Sequence, residues 1–148
     1  MILPDLPAAD TEQQLQDLDS GDIGAPVRVL VADDDPDTRE ALAQALRCDG
    51  YEVIEAQNGW ELLQHLAAPN LEPAGVDLVI SDVRMPGKNG LDILAGLRWA
   101  NGATPFILIT GFGDSQMHAE ARRLGAAAVL AKPFEIDQLR TVVLNALA

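Results

Sequence analysis

The sequence is poor in cysteine, in basic residues and in long apolar runs, and each shortage excludes a class of protein. A single cysteine, Cys48, in 148 residues leaves no internal disulfide, which is typical of a reducing compartment. Ten Lys and Arg stand against 23 Asp and Glu, a net charge of −13. Nucleic acid and anionic membranes are therefore not expected as direct partners, because both attract basic patches. Without a bilayer-length apolar run or a secretory signal, we expect a cytoplasmic protein.

The chain does contain 48% hydrophobic residues, which is enough to build the core of one domain. Its first 26 residues differ from the rest, because they hold six acids, no base and three prolines. We interpret residues 1–26 as an acidic, mobile N-terminal leader and residues 27–148 as the folded domain.

Five short apolar runs alternate with five amphipathic stretches of helix length. The runs are Val27–Ala32, Tyr51–Ala56, Val76–Ser81, Phe106–Thr110 and Ala127–Ala131. Four are nearly continuous, as in strands covered on both faces, whereas the run at Tyr51–Ala56 alternates with Glu and indicates an edge strand. This order predicts an α/β fold of (βα)5 type, in which right-handed crossovers give a doubly wound parallel five-stranded sheet.

Local signals mark the starts of two helices. Asp35 before Pro36 predicts an N-cap followed by proline in the first turn, and Asn58 three residues before Glu61 is typical of a capping box. Three further side chains are interpreted as filling space against helix faces: Trp60, Trp99 and Cys48.

Reactive side chains stand where the predicted strands end, which is where doubly wound sheets bind ligands. They are Asp33 and Asp34 after the first strand, Asp82 after the third, Thr110 at the end of the fourth and Lys132 after the fifth. Converging carboxylates without His or Cys favour a hard cation, and Mg2+ fits best beside a phosphate. A carboxylate can attack phosphorus, while a hydroxyl and an ammonium group hold the other phosphoryl oxygens. The pattern predicts a phosphoryl-accepting site.

Four motifs in residues 27–148 resemble the receiver domain of bacterial two-component response regulators. They are Val-Leu-Val-Ala-Asp-Asp-Asp-Pro-Asp, Ser-Asp-Val-Arg-Met-Pro-Gly-Lys-Asn-Gly-Leu, Leu-Ile-Thr-Gly and Ala-Lys-Pro-Phe, in the order and with the spacing of that family. The resemblance implies a flavodoxin-like sheet with strand order 2-1-3-4-5.

The resemblance also implies a role for each residue of the site. Asp82 would accept a phosphoryl group from a sensor histidine kinase or a histidine phosphotransfer protein, and Thr110 and Lys132 would contact that group. The residues implied to hold Mg2+ are Asp33, Asp34, Asp82 and, through its backbone carbonyl, Arg84. The Lys132–Pro133 bond would be cis.

A protein of this family is a signalling phosphoacceptor that catalyses only its own phosphorylation and dephosphorylation, so we do not expect a classical enzyme. Phosphorylation would switch the surface of the fourth helix, fifth strand and fifth helix for an unknown downstream protein or a homodimer. We expect no output domain in this chain. A stand-alone regulator, a phosphorelay shuttle and an excised receiver all remain open.

Three positions bear on how this chain would work. Val129 stands where the family usually has an aromatic residue or His, so any switch would rest on Thr110 and the loop after it. Phe112, two residues beyond Thr110, and Arg84, two beyond Asp82, occupy positions that tune water access in the family. We expect Phe112 to shield the acyl phosphate.

Two other functions compete with this interpretation. A phosphohydrolase of the haloacid dehalogenase type would also use an Asp, Mg2+ and a lysine, but its second general acid and its cap insertion are missing from the sequence. A receiver-like binding module that is never phosphorylated is the other. Asp82, Thr110 and Lys132 argue against it, while Val129 leaves it open.

Overall fold

A computed structural model of the chain describes residues 26–67, 75–100, 102–111 and 115–148. Its elements, in chain order, are β1 Arg28–Ala32, α1 Pro36–Cys48, β2 Glu52–Ala56, α2 Gly59–Ala67, β3 Leu78–Asp82, α3 Gly90–Trp99, β4 Phe106–Thr110, α4 Ser115–Arg123, β5 Ala128–Ala131 and α5 Ile136–Leu147. Except for Pro26, the predicted leader lies outside the described residues, and so does Phe112.

The five strands form one parallel sheet in the order β2-β1-β3-β4-β5. This confirms the predicted (βα)5 class, the strand order 2-1-3-4-5 and the edge position of the second strand. Several predicted strand boundaries differ by one or two residues, and one of them bears on the site: β3 includes Asp82, which pairs in register with Ile109 of β4. The amide of Val83 also donates to the carbonyl of Ile109 at 2.9 Å. The backbone of Asp82, which carries this carboxyl group, is therefore part of the sheet itself.

The sheet separates two apolar cores, because successive side chains of a strand point to opposite faces. The first core joins the sheet to α1 and α5 and includes Val29, Val31, Ile80, Ile109, Leu42, Leu46, Leu139 and Val143. The second joins it to α2, α3 and α4 and includes Leu30, Val79, Leu108, Leu62, Ile93, Leu94 and Ala121. Among the described residues, none of the helices is both long enough and apolar enough to cross a bilayer.

Both predicted helix caps are present. An oxygen of Asp35 accepts from the amide of Asp37 at 3.3 Å, and its other oxygen accepts from the Thr38 hydroxyl at 2.6 Å. Oδ1 of Asn58 accepts from the amide of Glu61 at 2.8 Å. The Glu61 carboxylate accepts from the amide of Gln57, one residue before the cap, so the capping box is shifted by one residue.

The interpretation of Trp99 and Cys48 as packing residues was wrong, and Trp60 lies outside both apolar cores. Trp60 is 56% exposed, Trp99 is 90% exposed, and Cys48 is also exposed. Trp60 precedes the buried Leu62 by two residues, and a two-residue step turns about 200° round a helix. Cys48 follows a buried leucine by the same step, so both side chains point away from the core.

We predict that Gly90→Ala destabilises the fold by about 1–3 kcal/mol. A Cβ at Gly90 would lie 2.5 Å from the carbonyl oxygen of Asp82 and 2.7 Å from Oγ of Ser81, so α3 must move away from β3. Gly96 in the same helix is the matched control, since its Cβ would meet nothing within 4 Å. There, Ala should stabilise by up to about 1 kcal/mol. Urea unfolding of both variants measures these effects, and effects of equal sign would contradict the close packing at Gly90.

Candidate functional site

The carboxyl ends of three strands bring two buried carboxylates and one ammonium group together. Asp33 directly follows β1 and is fully buried, and Asp82 at the end of β3 is 8% exposed. Lys132 follows β5, and its Nζ lies 3.1 Å from Oδ2 of Asp82 and 3.3 Å from Oδ2 of Asp33. The lysine therefore bridges two acids that belong to neighbouring strands.

Thr110 completes this edge of the sheet. It ends β4, the strand between those of Asp82 and Lys132, and it is buried. Its carbonyl accepts from the amide of Lys132 at 2.8 Å, which fixes the lysine backbone beside β4. The Lys132–Pro133 peptide bond is cis, as predicted.

Asp34 is exposed and adds a third carboxylate to the cluster. One oxygen each of Asp33, Asp34 and Asp82 lie within 4.8 Å of one another. In an octahedral Mg2+ site with bonds of about 2.1 Å, ligand oxygens lie about 3–4 Å apart, so these donors fit the ion with small adjustments. Three carboxylates beside one ammonium group also leave two negative charges that a divalent cation would neutralise.

Arg84 lies in the β3–α3 loop, which we define as residues 83–89. Its amide donates to Oδ1 of Asp82 at 3.3 Å, so both oxygens of that carboxylate accept a hydrogen bond. The loop is closed at its end, where the amide of Gly90 donates to the carbonyl of Val83 at 2.9 Å. The backbone of Arg84 is thus held beside the acid cluster.

Burial and neighbouring groups shift the pKa values of Asp33 and Lys132. Burial raises the pKa of Asp33 above its ordinary value, and the charge of Asp82 adds to that effect. The Asp35 amide and Lys132 lower the pKa of Asp33 without cancelling the increase. For Lys132, burial lowers the pKa, but the hydrogen bonds and charges of Asp82 and Asp33 outweigh burial and raise it. The lysine is therefore a permanent cation near neutral pH.

Arg39 supports the site and was missed from the sequence. Its guanidinium donates to the carbonyl of Asp33 at 2.8 Å and pairs with Glu55 of β2 at 3.2 Å. The available signal was its position near the start of α1, where a cation is unfavourable beside the positive end of the helix dipole. A cation there needs a local acceptor, which the Asp33 carbonyl supplies.

Val129, where the family usually has an aromatic residue or His, lies beside the second core. It lies in β5, paired in register with Leu108, and packs against that core. An aliphatic side chain therefore fills the place of the family's usual aromatic residue or His. The predicted shielding by Phe112 falls outside the described residues.

The protein is a doubly wound α/β protein with acids and a lysine together at its strand ends. Comparison with known proteins identifies the family within that class. Residues 29–144 match the family described as the response regulator receiver domain, so the chain belongs to that family. The chain also resembles the crystal structure of a receiver domain protein from Clostridium thermocellum. The two share 30% identity with a TM-score of 0.73, over 82% of this chain and 94% of the other.

Curated relatives differ in how much of their length this chain covers. Sporulation initiation phosphotransferase F of Bacillus subtilis is 31% identical over 78% of this chain and 90% of its own length. Regulatory protein AtoC of Escherichia coli is 37% identical over 81% of this chain but only 25% of its own length. The chain spans 24–26% of the length of AtoC and of two C4-dicarboxylate transport regulators named DctD. Such relatives contain much more chain than a receiver.

We predict that Asp33→Asn stabilises the metal-free protein at pH 7, by on the order of 1 kcal/mol, because it removes one buried charge from a cluster with excess negative charge. The folded-state pKa of Asp33 is raised, so its ionised form opposes folding above that pKa. The gain should therefore shrink as the pH falls toward 3.8, the ordinary value for Asp. Urea unfolding in chelator at several pH values measures it.

Glu40→Gln is the control for this prediction, because Glu40 is an exposed acid of α1 that lies beyond the first turn of the helix. It should change stability little at any of these pH values. A loss of stability in metal-free Asp33→Asn would contradict the charge argument.

Proposed function

We propose that Asp82 accepts a phosphoryl group from a phosphohistidine on a sensor histidine kinase or a histidine phosphotransfer protein. Receiver domains are signalling phosphoacceptors, which supports the class of reaction. The observation that carries the assignment is the contact of Lys132 Nζ with Oδ2 of Asp82, beside a cluster of carboxylates that fits Mg2+. The same family membership sets aside the phosphohydrolase alternative, since receivers are not classical enzymes.

The proposed metal ligands are Asp33, Asp34, Asp82 and the backbone carbonyl of Arg84. When bound, Mg2+ would offset the charge of the carboxylates and of the transferring phosphoryl group. The chain itself orients the acceptor, because Arg84 and Lys132 fix both oxygens of Asp82. Residues 27–148 would form the receiver and residues 1–26 a separate leader, and we place the protein in the cytoplasm.

In the transfer itself, a carboxylate oxygen of Asp82 attacks the phosphorus atom. An O–P bond forms as the N–P bond of the phosphohistidine breaks, and the departing nitrogen keeps the electron pair and is protonated. Lys132 then exchanges its contact with Asp82 for one with a phosphoryl oxygen, and the Thr110 hydroxyl donates to another. Both groups already stand at the same strand ends as the acceptor.

We further propose that phosphorylation changes the surface formed by α4, β5 and α5, and that a downstream protein or a second copy binds there. Thr110 is joined to β5 through the amide of Lys132, which gives a route from the site to that surface. Two arginines on this surface are already engaged within the chain: Arg123 pairs with Glu120, and Arg140 pairs with Asp49 and Asp137. A partner that binds this surface would either break these ion pairs or contact the surface around them.

Incubation with Mg2+ and acetyl phosphate should add one phosphoryl group to the parent protein. Asp82→Asn should add none, because the amide is not a nucleophile toward phosphorus, and chelation of Mg2+ should abolish the addition. Asp37→Asn is the control and should be modified like the parent. Intact-mass spectrometry measures the addition. No addition to the parent, with a histidine kinase as well as with acetyl phosphate, would contradict the proposed function.

Thr110→Val should separate phosphorylation from switching. The substitution keeps the volume of a buried side chain but removes its hydroxyl, so beryllofluoride should still bind at Asp82 while the amide shifts of β5 and α5 change less than in the parent. Thr110→Ser restores the hydroxyl and should restore the response. Heteronuclear NMR with and without beryllofluoride tests this, and an undiminished response in Thr110→Val would exclude the hydroxyl as the link.

A further inference from the structure

The start of α2 contacts the loop after β1, which carries Asp33, and the β3–α3 loop, which follows Asp82. The carbonyl of Ala56, at the end of β2, accepts from the amide of Asp33 at 3.1 Å. Three residues later, the amide of Gly59 donates to the carbonyl of Pro86 in the β3–α3 loop at 3.0 Å. One short stretch of backbone is therefore bonded to the loop of Asp33 and to the loop of Arg84.

The contact with the β3–α3 loop is close because two glycines face it. A Cβ at Gly59 would collide with the carbonyl oxygen of Lys88. Gly87 has a φ of +90°, which favours glycine, and a Cβ there would lie 2.6 Å from Nε1 of Trp60. The Trp60 indole thus covers Gly87 directly, and Nζ of Lys88 lies 5.8 Å from the ring centroid, within the range of a cation–π contact.

The start of α2, which carries Trp60, is itself fixed by hydrogen bonds. Asn58 caps α2 through the Glu61 amide, and the Glu61 carboxylate accepts from the amide of Gln57 at 2.9 Å and from its side chain at 3.0 Å. These bonds lower the pKa of Glu61, so the charged form that accepts them persists at neutral pH. An exposed aromatic side chain on a fixed helix start can therefore restrain the loop it covers.

We propose that Trp60 is a positioning residue that holds the β3–α3 loop, and with it the Arg84 carbonyl, at the distance from Asp82 that a divalent cation requires. Residues 83–89 form a loop closed by the Gly90 amide, so a restraint at Gly87 also restrains Arg84. This inference rests on the proposed function, because it concerns the same cation site. It gives a half-exposed tryptophan, which contributes little to the core, a role in the site.

Titration calorimetry with Mg2+ alone tests the proposal on the full chain. Trp60→Ala should raise the dissociation constant about 3- to 10-fold, below the usual effect of losing a direct partner of a metal ligand. Trp60→Phe retains a ring over Gly87 and should recover most of the affinity. Trp99→Ala is the matched control, since Trp99 is 90% exposed, and it should stay within about twofold of the parent.

Gly87→Ala provides a second route to the same contact, since its Cβ would push the loop away from Trp60. It should weaken Mg2+ binding in the same direction as Trp60→Ala. The two losses should be smaller in combination than their sum, because the alanine side chain at position 60 leaves room for the new Cβ. Fully additive losses would argue against a shared contact and overturn the proposal.

One further readout reports directly on the position of Trp60. In Trp99→Phe, where Trp60 is the remaining tryptophan, Mg2+ should shift the fluorescence emission. If the parent binds Mg2+ and Trp60→Ala binds it equally well, the proposal is wrong. If the parent binds no Mg2+, the proposed function fails first.

Discussion

The feature on which the rest of the structure depends is a group of neighbouring carboxylates, two of which are buried. Asp33 is fully buried and Asp82 almost so, and burial raises the pKa of Asp33 by opposing its charged form. Their neighbours supply backbone amides and one ammonium group, that of Lys132, which is 99 residues from Asp33 in the chain. Only a fold that brings the ends of distant strands to one edge can assemble these donors.

The parallel sheet supplies that edge and the stability it requires. Its central strands are buried on both faces, and the two cores hold them rigidly enough to fix Asp82 and Thr110 as the last residues of neighbouring strands. The local excess of negative charge works against folding, so the site is an example of stability given up for function. A site with less negative charge would make the metal-free protein more stable, but it would bind a cation less tightly.

The sequence allowed the strands, the caps and the acids to be predicted, because each depends on residues a few positions apart. Asp35 and Asn58 indicate helix starts from the local sequence alone. The apolar character of Trp60, in contrast, does not determine whether its side chain faces the core or the solvent. The bridge from Lys132 to Asp33 joins opposite ends of the domain. The strand-end argument placed both residues in one site, but neither it nor the family resemblance predicted their contact. Arg39 escaped notice because its acceptor is a backbone carbonyl, which no residue type marks.

The exposed position of Trp60 explains both why its role was not predicted and how the site can be tuned. Ligands that lie on loops are positioned only as well as the contacts that hold those loops. Gly59 and Gly87 allow the loop and the helix start to approach, and the indole of Trp60 covers the approach without entering the core. A substitution at Trp60 can therefore change the affinity for the cation while the phosphoryl acceptor, its lysine and the sheet remain as they are.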